Sequence, residues 1–147
     1  MNEYAQAGGK RAPVKANVGC QLSISVQNER GILASIARCL GKAGVNIHAL
    51  TLTGGIDHGY VRMVTSDPAR ARHALMRDGH LVFERDVILL EIENVPGALA
   101  EVAEKWAGHG VNLEYAYCAG GPAVERGLVI LRVDDTVKAL EALREES

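Results

Sequence analysis

One segment of this chain occurs twice, and the repeat limits how the chain can fold more than any other feature. The motif Asn-x-x-Gly begins at Asn28 and again at Asn94, and a Gly-Val-Asn motif ends at Asn46 and again at Asn112. Both pairs have the same offset of 66 residues (94 − 28 and 112 − 46). A constant offset over two motifs indicates duplication of one supersecondary unit. Two copies are too few for a solenoid, so the sequence predicts a pair of small domains.

The composition is typical of a water-soluble globular protein. Of 147 residues, 48% are hydrophobic and 23% are charged, and no apolar run is long enough to cross a bilayer. The formal net charge of −2 provides no general attraction to the phosphates of nucleic acids. Three cysteines without Cys-x-x-Cys spacing favour reduced thiols over a disulfide framework or a zinc site. We therefore expect a cytoplasmic protein without a membrane or nucleic-acid partner.

The first repeat has the hydrophobic periodicity of two helices and four strands. Apolar residues alternate with polar ones in the strand segments and recur at helical spacing in the helix segments. The predicted elements are strands at 20–27, 45–53, 60–65 and 81–86 and helices at 32–40 and 68–77. The order β-α-β-β-α-β predicts a ferredoxin-like α+β unit, in which two helices cover one face of an antiparallel sheet.

The second repeat has the same pattern but ends one strand early. Residues 81–93 contain no turn signal, so one strand is predicted to lead directly from the first unit into the second. A helix to about residue 108, strands at 111–118 and 127–133, and a helix at 136–144 follow. The missing fourth strand leaves a sheet edge that the N-terminal segment, the first unit or another chain could cover. The predicted organisation is a mobile lead at 1–18, with a possible edge strand at 14–18, and units at 19–86 and 87–147.

In each repeat the Asn-x-x-Gly motif is predicted to form the turn from the first strand into the first helix, and we call this turn the corner. The second corner reads Asn-x-Pro-Gly-Ala-Leu-Ala from Asn94, and a Gly-Val-Asn-Leu segment that ends at Leu113 follows it. In a duplicated βαββαβ unit, this combination resembles tandem ACT-domain proteins over residues 20–146. The resemblance implies a non-catalytic regulatory module that binds a free amino acid at the interface of paired ACT units and regulates amino acid metabolism. It also implies a homodimer, and a metabolic enzyme as a further partner.

The residues at the two corners suit a zwitterionic ligand. A helix that starts there leaves its first backbone N–H groups without partners, and the positive end of the helix dipole favours a carboxylate. Glycine at the bend allows close approach of a ligand, and an Asn side-chain carbonyl can accept a bond from an ammonium group. The candidate residues are Asn28, Gly31, Ile32 and Leu33 in the first repeat and Asn94, Gly97, Ala98 and Leu99 in the second.

The resemblance adds Asn46 and Asn112 at the start of the second strand of each unit, where several ACT proteins contact ligand or the partner domain. His48 is added because it lies near Asn46. Each of these residues also has a purely structural interpretation. Asn28 and Asn94 stand where helix caps would stand, the glycines suit a backbone turn, and Asn is common at helix-to-strand turns. Val26 and Ile92 stand where some serine-binding members have a polar ligand contact, which disfavours serine and allows an apolar or aromatic ligand side chain.

Other functions remain open from the sequence. The chain could be a regulatory subunit that docks an enzyme through its sheet edge, with any ligand incidental. It could also be an acyl-phosphate hydrolase using Arg30 and Asn46, although Arg30 occurs in one repeat only. An RNA-binding module is disfavoured because the central strands lack exposed aromatic residues. The five histidines do not have metal-ligand spacing, so neither a metal nor a cofactor is predicted.

Overall fold

The computed structural model describes residues 14–144, which divide into two compact units. The first unit is Gly19–Asp86. The second unit combines 14–18 with 87–144. Two long strands, β1 (Lys15–Gln27) and β4 (Leu81–Glu93), each contribute residues to both units. The unbroken 13-residue β4 confirms the strand that was predicted from the absence of a turn signal.

The first unit is a ferredoxin-like sheet with two helices. Between β1 and β4 the chain forms α1 (Ile32–Lys42), β2 (Ile47–Gly54), β3 (His58–Thr65) and α2 (Pro68–Arg77). Strand β3 pairs antiparallel with both β1 and β2, and β4 is the other neighbour of β1, so the strand order is β4-β1-β3-β2. This order confirms the predicted βαββαβ fold.

Helices α1 and α2 form where the sequence carries apolar periodicity and start signals. Ile36 and Leu40 of α1 have no exposed surface and pack in the core of the first unit with residues of β1 and β3. At the start of α2, the Asp67 carboxylate accepts a hydrogen bond from the backbone N–H of Arg70 at 3.1 Å, and Pro68 occupies the first turn. A side-chain cap and a proline in the first turn are the expected signals for a helix start.

The second unit repeats this arrangement. After β4 the chain forms α3 (Ala98–Gly108), β5 (Leu113–Ala119), β6 (Arg126–Val133) and α4 (Thr136–Arg144). Strand β6 pairs antiparallel with both β4 and β5. Trp106 of α3 is 1% exposed and is the largest side chain in the core of this unit.

The fourth strand of the second unit comes from the start of the chain. Lys15–Val18 of β1 belong to this unit, and β1 is the neighbour of β4 in the sheet order. Ala16 packs against the core that contains Ile88 and Trp106. Residues 15–18 therefore form the edge strand that the sequence allowed at 14–18, and not a mobile lead, because the open edge of β4 needs a hydrogen-bonding partner. The rest of the predicted lead, residues 1–13, lies outside the described residues.

Candidate functional site

In the first unit, the corner between β1 and α1 turns through a left-handed glycine. Gly31 has φ 83° and ψ 3° and occupies the N-cap position of α1. A Cβ placed on Gly31 would have no neighbour within 4 Å. The positive φ, which residues with a Cβ rarely adopt, is therefore the structural reason for glycine at this position. The open space above Gly31 leaves the backbone accessible to a ligand.

The second unit has the same corner between β4 and α3. Gly97 has φ 86° and ψ −10° and occupies the N-cap position of α3. No side chain caps the N-terminus of either helix with a hydrogen bond. The structure therefore corrects the interpretation of Asn28 and Asn94 as helix caps, because the cap position belongs to a glycine three residues later.

Asn28 is bonded to the hairpin loop between β2 and β3. Its backbone N–H donates to the carbonyl of Asp57 at 3.2 Å, and its side-chain Nδ2 donates to the carbonyl of Gly55 at 3.1 Å. Because a carbonyl can only accept a hydrogen bond, this contact orients the Asn28 amide with its nitrogen towards the loop. The Oδ1 atom of Asn28 accepts no hydrogen bond from residues 14–144 and is left for a donor from outside.

Asn94 makes the same contacts with the loop between β5 and β6. Its backbone N–H donates to the carbonyl of Glu125 at 2.9 Å, and Nδ2 donates to the carbonyl of Val124 at 3.0 Å. The two Asn residues therefore hold equivalent positions in both units. Each fixes a hairpin loop against a helix corner and presents a side-chain oxygen.

The predicted backbone donors divide into used and available groups. The N–H of Ile32 donates to the carbonyl of Glu29, and that of Ala98 to the carbonyl of Val95, both at 3.3 Å. In contrast, the N–H groups of Leu33 and Leu99 have no acceptor among the residues that the structure describes. Residues Leu33 and Leu99 are 39% and 42% exposed, so solvent reaches the first turn of each helix. Two of the four predicted donors are therefore available at the helix N-termini.

Asn46 and Asn112 do not lie beside the corners of their own units. The backbone of Asn46 bonds to Ser66, directly after β3, whereas Asn28 bonds to Asp57, directly before β3. An extended strand of eight residues spans about 26 Å, so Asn28 and Asn46 lie at opposite ends of the sheet.

The second unit separates its two asparagines in the same way. Asn112 bonds to Asp134 after β6, and Asn94 bonds to Glu125 before β6. Within each unit, the corner residues therefore do not lie near Asn46 or Asn112.

His48 is exposed on β2, where the pairing with β3 shifts register between Ile47 and Ala49. It lies near Asn46 and therefore at the end of the sheet away from the corner. Among the described residues, no group of three His, Cys, Asp or Glu side chains is placed to hold a metal ion. No helix within residues 14–144 is long and apolar enough to span a membrane.

Two of the three thiols, Cys20 and Cys39, are poorly suited to act as nucleophiles. All three cysteines are free. Burial raises the pKa of Cys39, and a hydrogen bond with Asp78 adds to this effect. Burial also raises the pKa of Cys20, with further contributions from the charges of Glu84 and Asp86. Because the thiolate is the reactive form, a raised pKa makes both thiols poor nucleophiles at neutral pH.

The duplicated fold and the glycine corners can be compared with known families. A family model described as an ACT domain pair matches residues 18–147. This chain belongs to the ACT domain pair family. The tandem ACT prediction made from the two repeated motifs is therefore confirmed, and the two units are ACT units.

Solved structures support the same conclusion about the fold. Protein BT0572 from Bacteroides thetaiotaomicron is 34% identical, with 89% of this chain and 90% of that chain covered and a TM-score of 0.82. The ligand-free regulatory subunit of aspartate kinase from Thermus thermophilus is 19% identical, with 92% and 98% covered and a TM-score of 0.70. The corresponding subunit from Thermus flavus is 20% identical, with 92% and 97% covered and a TM-score of 0.64. A comparison with curated proteins found no match.

Proposed function

We propose that this ACT domain pair is a non-catalytic sensor that binds a free amino acid and regulates an enzyme of amino acid metabolism. The observation that supports the proposal most directly is the pair of groups at each corner. A backbone N–H without an acceptor, from Leu33 or Leu99, occurs in the same short corner as a side-chain oxygen that accepts no bond, from Asn28 or Asn94. The backbone N–H can donate to the carboxylate of an amino acid, and the Asn oxygen can accept from its ammonium group.

The electrostatics of the corner favour the carboxylate end of the ligand. The aligned peptide dipoles of the 11-residue helices α1 and α3 place partial positive charge at their N-termini. The first turn of each helix is solvent-exposed at Leu33 or Leu99, so an anion can reach the N–H group without displacing core residues. The first turn of α1 contains no acidic side chain, whereas that of α3 contains Glu101. We therefore expect the corner of the first unit to bind a carboxylate more strongly than the corner of the second.

We expect residues other than Val26 and Ile92 to determine which ligand side chain the site accepts. These two residues are 5% and 6% exposed and face the cores of their units. Asn46 and His48 lie about one strand length from the corner of their own unit. A pocket that uses both a corner and these residues therefore needs a further ACT unit, such as another copy of the chain in a homodimer would supply.

Thermal unfolding of the purified full chain with each of the twenty amino acids tests the proposal. A ligand at 100 times its dissociation constant should add about 2.7 kcal/mol to the free energy of unfolding. For the amino acid that stabilises the protein, Asn28→Ala and Asn94→Ala should weaken binding, whereas Gln27→Ala, an exposed neighbour, should not. The absence of any shift with all twenty amino acids at millimolar concentration would contradict the proposal.

A further inference from the structure

A groove of about 350 Å³ lies between α1 and α2 of the first ACT unit. Its lining includes the side chains of Arg38 and Lys42 from α1 and Arg77 from α2. Ser35, Cys39 and Asp78 complete the polar part of the lining. The volume is within the range of small-molecule sites. The corner is at the N-terminal end of α1, where Ser35 lies in the first turn, whereas Arg38 and Lys42 lie in the C-terminal half of the helix. The cationic part of the groove is therefore separate from the corner.

The three cations of the groove have no carboxylate partner. No acidic side chain lies within 4.0 Å of Arg38, Lys42 or Arg77 among the described residues. Two neighbouring cations of α2 are paired: Arg70 lies 3.7 Å from Asp67, and Arg72 lies 3.8 Å from Glu84. With three cations and one carboxylate, Asp78, in its lining, the groove is locally positive in a chain with a formal net charge of −2.

The fold does not require cations at these positions. With the 66-residue offset of the repeat, Ser35, Arg38 and Lys42 correspond to Glu101, Glu104 and Gly108 of α3. The second ACT unit thus forms the same helix with acidic or neutral residues on this face. Lys42 and Arg77 lie in the last turns of their helices, where a cation also stabilises the helix dipole, whereas Arg38 lies in the middle of α1 and has no such role. The charge of Arg38 is therefore a property of the first unit and not of the fold.

We propose that this groove binds a small phosphate-bearing molecule. Guanidinium groups match the geometry of phosphate oxygens and donate two parallel hydrogen bonds to them, and Arg38 and Arg77 reach the groove from different helices. Lys42 adds a third positive charge, and the Ser35 hydroxyl is a further donor. Asp78 disfavours an anion directly beside it, but the three cations outnumber this single carboxylate in the lining. The site does not depend on the amino acid proposal.

Calorimetric titration of the full chain with inorganic phosphate, pyrophosphate and glycerol 3-phosphate at constant ionic strength tests this site. We expect saturable binding of at least one of them, strongest for the probe with the most negative charge. Arg38→Ala and Arg77→Ala should each raise the dissociation constant at least about tenfold, the change expected from losing one charged hydrogen bond. Arg72→Ala, an exposed and paired cation of α2, should leave it within about twofold.

A second readout separates local binding from a change in folding. Because Cys39 lies in the groove and Cys118 is exposed on β5, a bound phosphate should slow alkylation of Cys39 by iodoacetamide and leave Cys118 unchanged. The absence of saturable binding, or equal affinity in Arg38→Ala and the native protein, would overturn the proposal. Tight binding of heparin that depends on Arg38, without a response to the three small phosphates, would also overturn it and would indicate a surface for an acidic macromolecule.

Discussion

The indole Nε1 of Trp106 donates a hydrogen bond to the backbone carbonyl of Ala139 at 2.9 Å, and both residues are at most 1% exposed. This contact joins α3 to α4 in the core of the second ACT unit. The corresponding residue of the first unit is Leu40, which has no such donor (106 − 66). The second unit therefore combines apolar packing and a buried hydrogen bond at the position where the first unit has apolar packing alone.

Replacement of Trp106 should separate these two contributions. Trp106→Phe keeps an aromatic ring but leaves the Ala139 carbonyl without its donor, and we expect a loss of about 1–3 kcal/mol in the free energy of unfolding. Trp106→Ala should cost about 3–5 kcal/mol because it also creates a cavity. Urea denaturation followed by circular dichroism measures both. The control is Val137→Ala, at a residue that is 66% exposed. If Trp106→Phe lowers the free energy of unfolding no more than this control, the hydrogen bond does not contribute to stability.

Asn28→Asp should distinguish the loop contact from a ligand contact. The substitution keeps a side-chain oxygen but replaces the Nδ2 donor, so that an oxygen would face the Gly55 carbonyl now bonded at 3.1 Å. We expect a loss of about 0.5–1.5 kcal/mol in the free energy of unfolding. Urea denaturation measures this loss, with Gln27→Glu as the exposed control. If Asn28→Asp is as stable as this control, the side chain does not hold the hairpin loop.

Two glycines close to each other in sequence should respond to alanine with opposite signs. Gly31→Ala forces a residue with a Cβ into φ 83° and should destabilise the protein by about 1–2 kcal/mol. Gly41 lies within α1 and lacks a positive φ, so Gly41→Ala should stabilise the protein by about 0.5–1 kcal/mol. Neither Cβ would have a neighbour within 4 Å, so packing does not differ between them. Thermal unfolding that shifts both variants in the same direction would contradict this account.

Ala16→Asp tests the strand that the start of the chain contributes to the second unit. The new carboxylate would lie against the core that contains Trp106, where an unpaired charge is costly. We expect faster amide hydrogen exchange in β6 of the second unit than in the native protein, with little change in β3 of the first. Lys15→Asp, at an exposed position one residue earlier, is the matched control. Equal protection of β6 in both variants would show that residue 16 does not stabilise the second unit.

Local patterns in the sequence were sufficient for the elements and for the duplicated fold. Alternating and helical periodicities depend on residues within one element, and they located β4 as a single strand and placed α2 after Asp67. The repeated corner motif identified the ACT family in the same way, because the motif is continuous in the chain.

Only the tertiary structure decided which groups meet. Asn28 bonds to a loop carbonyl 27 residues away, the start of β1 completes the second unit, and Arg77 shares a groove with Arg38 on another helix. The spacing of Arg38 and Lys42 on one helix face is visible in the sequence, but the approach of Arg77 requires α2 to pack beside α1. Periodicity specifies which face of an element is buried, whereas the partners of exposed polar groups depend on contacts between segments far apart in the chain.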